Sequence, residues 1–158
     1  MNKFTKGFYL LLALVLCYSV EWTASLFTQS SVDTWYKTLI KPSWNPPNIA
    51  FPIVWTILYT MIALSFWLIL SEPKARHPKP FVAFFLQLFL NFTWSLAFFY
   101  LQSPLLGLVN IIFLLVAILW NIREFSKYSL TASRLLYPYF LWVAYAVTLN
   151  AAIWYLNM

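Results

Sequence analysis

Five long apolar runs, Phe8–Thr28, Phe51–Leu70, Phe81–Leu101, Leu105–Ile122 and Leu135–Leu156, divide this 158-residue chain. Each approaches the ~20 residues a helix needs to cross ~30 Å of hydrocarbon. No water is available there to bond free backbone groups, so only helices and closed barrels span it. The runs are continuous and lack the alternation of barrel strands. The expectation is an all-α integral membrane protein, a five-transmembrane-helix bundle forming one domain over residues 1–158. Composition agrees: 63% of residues are hydrophobic and 9% charged, against ~25% charged in an ordinary soluble domain. The first run follows Lys3 and Lys6 like a signal peptide, but it is too long for one and no small-x-small cleavage site follows.

Charge orients the bundle. With the N-terminus inside, Lys3, Lys6, Lys74, Arg76, Lys79, Arg123, Lys127 and Arg134 fall on the cytoplasmic side, and only Lys37 and Lys41 outside. That asymmetry satisfies the positive-inside rule. It also accounts for the net charge of +6 without nucleic acid. The C-terminus is then external. Gln102–Pro104 leaves room only for a tight hairpin between the third and fourth spans. No internal repeat at helix-pair spacing suggests a duplicated transporter.

The first external connection, residues 29–50, is neither short nor polar. Within it Pro42, Pro46 and Pro47 oppose a regular helix, since each lacks an N–H and restricts its predecessor. Pro52 instead falls in the first turn of the next span, where no donor is needed. With Trp35, Lys41 and Trp44, these prolines predict a stiff aromatic lid.

Soluble-enzyme chemistry is absent. His77 is the sole histidine, in a charged loop that predicts a solvated role. Glu21, Asp33, Glu72 and Glu124 are scattered, with no paired-carboxylate or metal-ligand spacing. Cys17 alone excludes an internal disulfide. Gly7 and Gly107 cannot make a phosphate loop. Glu21, near the outer end of the first span, predicts a partly hydrated carboxylate.

Aromatic and amide side chains remain. Trp22, Trp35, Trp44, Trp154 and Trp120 suit interfacial belts. Trp55, Trp94 and Trp142 lie deeper. Trp55 and Tyr59 share a helical face; Gln87, Asn91 and Ser95 form a second row beside Trp94; Trp142, Ala146 and Asn150 form a third. At 1.5 Å per residue these faces reach the outer half of the membrane together. The expectation is one aromatic cavity beneath the lid, lined by Trp55, Tyr59, Asn91, Trp94, Ser95, Trp142, Ala146 and Asn150. The competing account is plain interhelical packing with amides bonded between helices.

Three blocks then carry a resemblance: W-Y-x-x-L-x-K-P-S-W-x-P-P followed by V-W-T-x-L-Y; L-N-F-T-W-S-L-A-F-F; and R-L-L-Y-P-Y-F-L-W-V-A-Y-A-V-T-L-N. The chain resembles the TspO/MBR family of tryptophan-rich sensory and translocator proteins from about Trp35 to Trp154. The resemblance implies a five-helix bundle, commonly a homodimer, with a ligand cavity closed by the first connection. It implies porphyrins (protoporphyrin IX, haem), sterols and benzodiazepine-type drugs as ligands, with no required cofactor. Trp55, Asn91, Trp142 and Ala146 match its cavity positions, and Trp55 and Trp142 its indoles implicated in porphyrin breakdown. Two departures stand out. Ile49 replaces a tryptophan common after the proline pair, and Tyr155 is not followed by the Lys or Arg of the sterol pattern. The first weakens one aromatic wall of the implied cavity; the second argues against sterol binding through that pattern and favours a bacterial protein of the cytoplasmic membrane.

The leading expectation is a receptor for tetrapyrroles and other flat apolar ligands, with Lys37 and Lys41 meeting their carboxylates. The alternatives are a porphyrin-degrading enzyme using Trp55 and Trp142, and a transporter of tetrapyrroles or sterols. Thr93-x-x-x-Ala97 is the candidate small-residue seam for a second copy.

Overall fold

The computed structural model of the chain describes residues 2–158. Helix α1 spans Lys3–Val32. A single turn α2, Trp35–Thr38, interrupts the connection to α3, Ala50–Leu70. Helix α4 covers Pro78–Ser95 and runs on as a π-helical turn, Leu96–Tyr100. Then come α5, Pro104–Ser126, the short α6, Leu130–Leu135, and α7, Tyr137–Leu156. Counting α4 with its π turn and α6 with α7, five helical units are long and apolar enough to cross a membrane.

The helix ends follow capping chemistry more than apolar content. The first helix extends beyond residues 8–28 at both ends, because the Asn2 carboxamide caps Thr5 N–H at 2.8 Å and the polar Gln29–Ser31 turn stays helical. The third span starts at Pro78, with Nδ1 of His77 accepting from Lys79 N–H at 3.2 Å. His77 is therefore an N-cap as well as a solvated loop residue. Ser103 caps α5 ahead of Pro104, in the position where a proline fits a first turn. Ser129 caps α6 at 3.1 Å. The fifth span breaks at Leu136, just before Pro138, which has no amide to continue the ladder. Between α4 and α5 the hairpin turns at Gln102, with φ of 51°.

In cross-section α1 packs on α3 and α4, α4 on α5, and α5 on α7. At the end carrying Lys74 and Arg134, here the basic end, α3 packs on α6, and the Ser65 hydroxyl donates to the Ala132 carbonyl at 2.7 Å. Packing of α3 against α7 is slight. At the opposite, loop end, rings from the first turns of α3 still meet α7, Phe51 on Trp142 and Trp55 on Tyr139, and the loop ahead of α3 is bonded along the outer half of α7.

That end is tightly assembled elsewhere. A Cβ on Gly107 would lie 2.8 Å from Phe98 Cδ2 and 3.0 Å from Asn150 Oδ1, so only glycine lets α5 approach the π turn and α7 this closely. The π turn closes with Leu101 N–H on the Leu96 carbonyl at 2.9 Å and buries Phe98 and Phe99 side by side. Widened turns of this kind recur at functional sites.

Candidate functional site

Two layers of side chains occupy the wedge between α3, α4 and α7. The deeper layer is a hydrogen-bonded relay. Tyr59 donates to Asn91 Oδ1 at 3.1 Å, and Asn91 Nδ2 donates to the Tyr139 hydroxyl at 2.7 Å. All three residues are buried. Trp55 lies over this pair of phenols, 5.9 Å from the Tyr59 ring and 6.3 Å from that of Tyr139. Apolar helices would leave these groups unpaired, and pairing them here removes a cost of several kcal/mol per group in hydrocarbon.

The upper layer encloses a cavity of about 30 Å³ bounded by Trp94, Ala146, Leu149, Asn150, Phe51 and the two π-turn phenylalanines. Trp94 Nε1–H donates to Asn150 Oδ1 at 3.1 Å, while Asn150 Nδ2 reaches the Pro104 carbonyl at 2.7 Å. Trp94 stacks on Phe98 with centroids 5.6 Å apart. Trp142 meets Phe51 edge-on at 6.0 Å and Tyr145 at 5.6 Å, half-buried at the wedge's open flank. Ser95 is buried on the same face of α4 as Asn91.

Residues 33–49 close the top. Tyr36 inserts its ring against Phe99 at 5.5 Å and donates its hydroxyl to Asn45 Oδ1 at 3.2 Å. Burial pushes the Tyr36 phenol above the ordinary tyrosine range, so it remains a neutral donor. Trp35 packs on Phe98 at 5.6 Å, and the Ser31 hydroxyl donates to the Phe99 carbonyl at 2.8 Å. Pro42 is buried, Pro46 half-buried, and Pro47 and the Trp44 ring are exposed. The loop is fastened to α7 as well: the Tyr145 phenol donates to the Trp44 carbonyl. The Asn157 carboxamide takes both backbone groups of Ile40, each at 2.9 Å.

Of the eight expected lining residues, Trp94, Ala146 and Asn150 border the cavity, Tyr59 and Asn91 lie in the relay below with Trp55 over it, Trp142 stands at the flank, and Ser95 is buried on α4. The two lysines have local partners. Lys41 bonds the Leu39 carbonyl at 3.2 Å with its ammonium 4.6 Å from the Tyr36 ring centroid, and Lys37 pairs with Asp33 at 3.0 Å. Glu21 accepts from Thr56 at 2.9 Å on the α1–α3 seam, half-buried as its position implied. Thr93 is turned toward α5, where its hydroxyl accepts from Asn110 at 2.8 Å.

Sequence reasoning passed over Tyr139, Phe98, Phe99, Tyr36, Tyr145 and Asn157. Tyr139 was reachable, since it sits one turn before Trp142 and Val143 on the row already chosen. The paired phenylalanines were not, because a regular helix would place them on diverging faces.

A profile of the TspO/MBR family matches residues 13–156. The chain belongs to the TspO/MBR family. It is 43% identical to a tryptophan-rich protein TspO of Chlorobaculum tepidum over 150 residues, covering 94% of this chain and 95% of that one. A TspO of Archaeoglobus fulgidus is 41% identical over 88% of this chain and 90% of its own. The human translocator protein is 33% identical over 82% and 79% respectively. Membership in TspO/MBR supports a ligand-binding or transport role within a membrane.

Proposed function

We propose that this TspO/MBR protein is a membrane receptor for porphyrins, protoporphyrin IX or haem, and for other flat apolar molecules including benzodiazepine-type drugs. The observation that carries the reading is the wedge itself. Three indoles and two amides converge between α3, α4 and α7, under a loop bonded to α7 rather than left free. Planar ring systems stack on indoles with a gain of about 0.5–1.5 kcal/mol per pair beyond area burial. A cavity of about 30 Å³ is a closed state. Ligand pockets hold roughly 300–1,000 Å³, so the loop and the Phe51–Trp142 contact must yield for a porphyrin to bind.

The reading carries an orientation and an assembly. The basic end faces the cytoplasm of a bacterial cell, residues 33–49 face outward, and two copies form a homodimer. Quenching of tryptophan fluorescence by protoporphyrin IX in reconstituted vesicles tests the receptor. Saturable quenching that benzodiazepine-type drugs displace is expected, and linear, non-displaceable quenching would remove the reading.

One observation favours a second reading, light- or oxygen-dependent degradation of bound porphyrin, with dissolved dioxygen as the oxidant. Each indole facing the wedge from α3 or α7 has a tyrosine in ring contact, Tyr59 for Trp55 and Tyr145 for Trp142. Such pairs can pass on an oxidising equivalent. Phenylalanine at Trp55 or Trp142 keeps most of the stacking area, so binding should persist while appearance of a new absorbing product stops. Wild-type turnover in both variants would leave these indoles as cavity walls only.

A further inference from the structure

One flank of the bundle is built differently from the rest. Elsewhere neighbouring helices pack directly, α1 on α3 and α4, α4 on α5, α5 on α7. Between α3 and α7 direct packing is slight, and two ring contacts span it: Trp55 to Tyr139 at 6.3 Å and Phe51 to Trp142 at 6.0 Å. Among the described residues no hydrogen bond joins these two helices directly. Ring contacts can part without stranding a polar group, which matters where no water replaces a lost bond. Ile53 and Ile57 on α3 and Leu141 on α7 are more than half exposed, so the helices flanking this seam present apolar side chains to hydrocarbon.

The polar contacts beside this flank lie in the loop, which they fasten to α7. The Trp44 carbonyl takes the Tyr145 hydroxyl, and Ile40 is clasped through both its N–H and its carbonyl by the Asn157 carboxamide. Tyr145 stands about midway along α7 and Asn157 is its C-cap, so residues 40–44 lie along the outer half of that helix. Releasing them frees the loop from α7 without touching the Tyr36 anchor on Phe99 or the relay at Asn91.

We propose that the α3–α7 flank is a lateral gate through which a flat, membrane-dissolved ring compound reaches the cavity, and that Tyr145 and Asn157 are the latch that sets its opening rate. The identity of the ligand rests on the receptor reading. The gate does not, because its opening can be measured with no ligand present.

The probe is a thiol on the cavity wall. Cys17, the single native cysteine, is buried and is replaced by serine; Ala146→Cys then supplies the reporter. In vesicles, a lipid-soluble maleimide labels residue 146 at a rate read by mass spectrometry. Tyr145→Phe should raise that rate roughly three- to tenfold, the factor expected from losing about one hydrogen bond, and Asn157→Leu, which loses two to Ile40, at least as much. The control is Tyr18→Phe, which removes the comparable Tyr18–Thr60 contact of 2.6 Å on the closely packed α1–α3 flank. It should leave the rate unchanged. Unchanged labelling in both latch variants overturns the gate, and so does an equal rise in Tyr18→Phe, which would move the opening to another flank. Protoporphyrin quenching in the same vesicles reports separately: faster labelling without quenching keeps the gate and removes its proposed ligand.

Discussion

Asn91 engages both halves of its carboxamide with phenols, Tyr59 on one side and Tyr139 on the other, and all three are buried. Its part in the site is therefore to hold the floor rather than to offer free donors to a guest. Asn91→Ala leaves two buried hydroxyls without that partner, at about 1–3 kcal/mol for an unsatisfied group. A lower thermal midpoint in detergent is expected, with porphyrin affinity falling by about 1 kcal/mol. Loss of affinity at an unchanged midpoint would mean the amide contacts ligand directly. Ala146 is a simpler reporter, buried on the cavity wall one turn from Trp142. Ala146→Leu should weaken bulky ligands by roughly 1–3 kcal/mol, the usual range for overpacking, in a protein that still folds. Equal titration curves for variant and parent would show that ligand never reaches this face of α7.

The elements differ in how openly their sequences declare them. The spans follow from apolar length, and Pro52 and Pro104 sit in first turns where a ring without an N–H fits. The lid was legible through its prolines, yet α2 and the helical Gln29–Val32 turn inside it were not. No proline falls between Gln29 and Lys41 to oppose them, and Trp35 and Tyr36 pack α2 on the π turn. That π turn has no sequence signature, because it answers tertiary demand: Phe98 and Phe99 must both face Tyr36. The wedge was legible as three helical faces, while its fasteners at Tyr145 and Asn157 were not, since they bond to loop backbone whose path no spacing encodes. Pro46 and Pro47 limit the freedom of the open loop. Glycine at both positions should speed ligand release more than it slows uptake, as the loop closes over an occupied site. Identical release rates in stopped-flow would reduce the loop to a connector.

At the scale of the whole molecule, orientation is decided by charges far from the wedge. Eight of the ten basic residues lie at or beside the basic end, and Lys37 and Lys41 lie in the opposing loop. Glu124 holds Lys127 at 2.6 Å, but the remaining cations there have no carboxylate within ion-pair distance among the described residues. An excess of this kind within a turn or two of the spans is what retains a segment on the cytoplasmic side. The choice of reporter follows from burial. Ser31 and Ala75 are buried at 1% and 4% exposure, so a cysteine at either would be silent for structural reasons alone. Ser43 and Pro73 are exposed, on opposite ends, and their replacement alters no charge. In the Cys17→Ser background, Ser43→Cys should react with a membrane-impermeant maleimide added to intact cells. Pro73→Cys should react only after the membrane is opened. The reversed pattern would place the loop and its latch inside the cell, and porphyrin would then reach the wedge from the cytoplasmic leaflet.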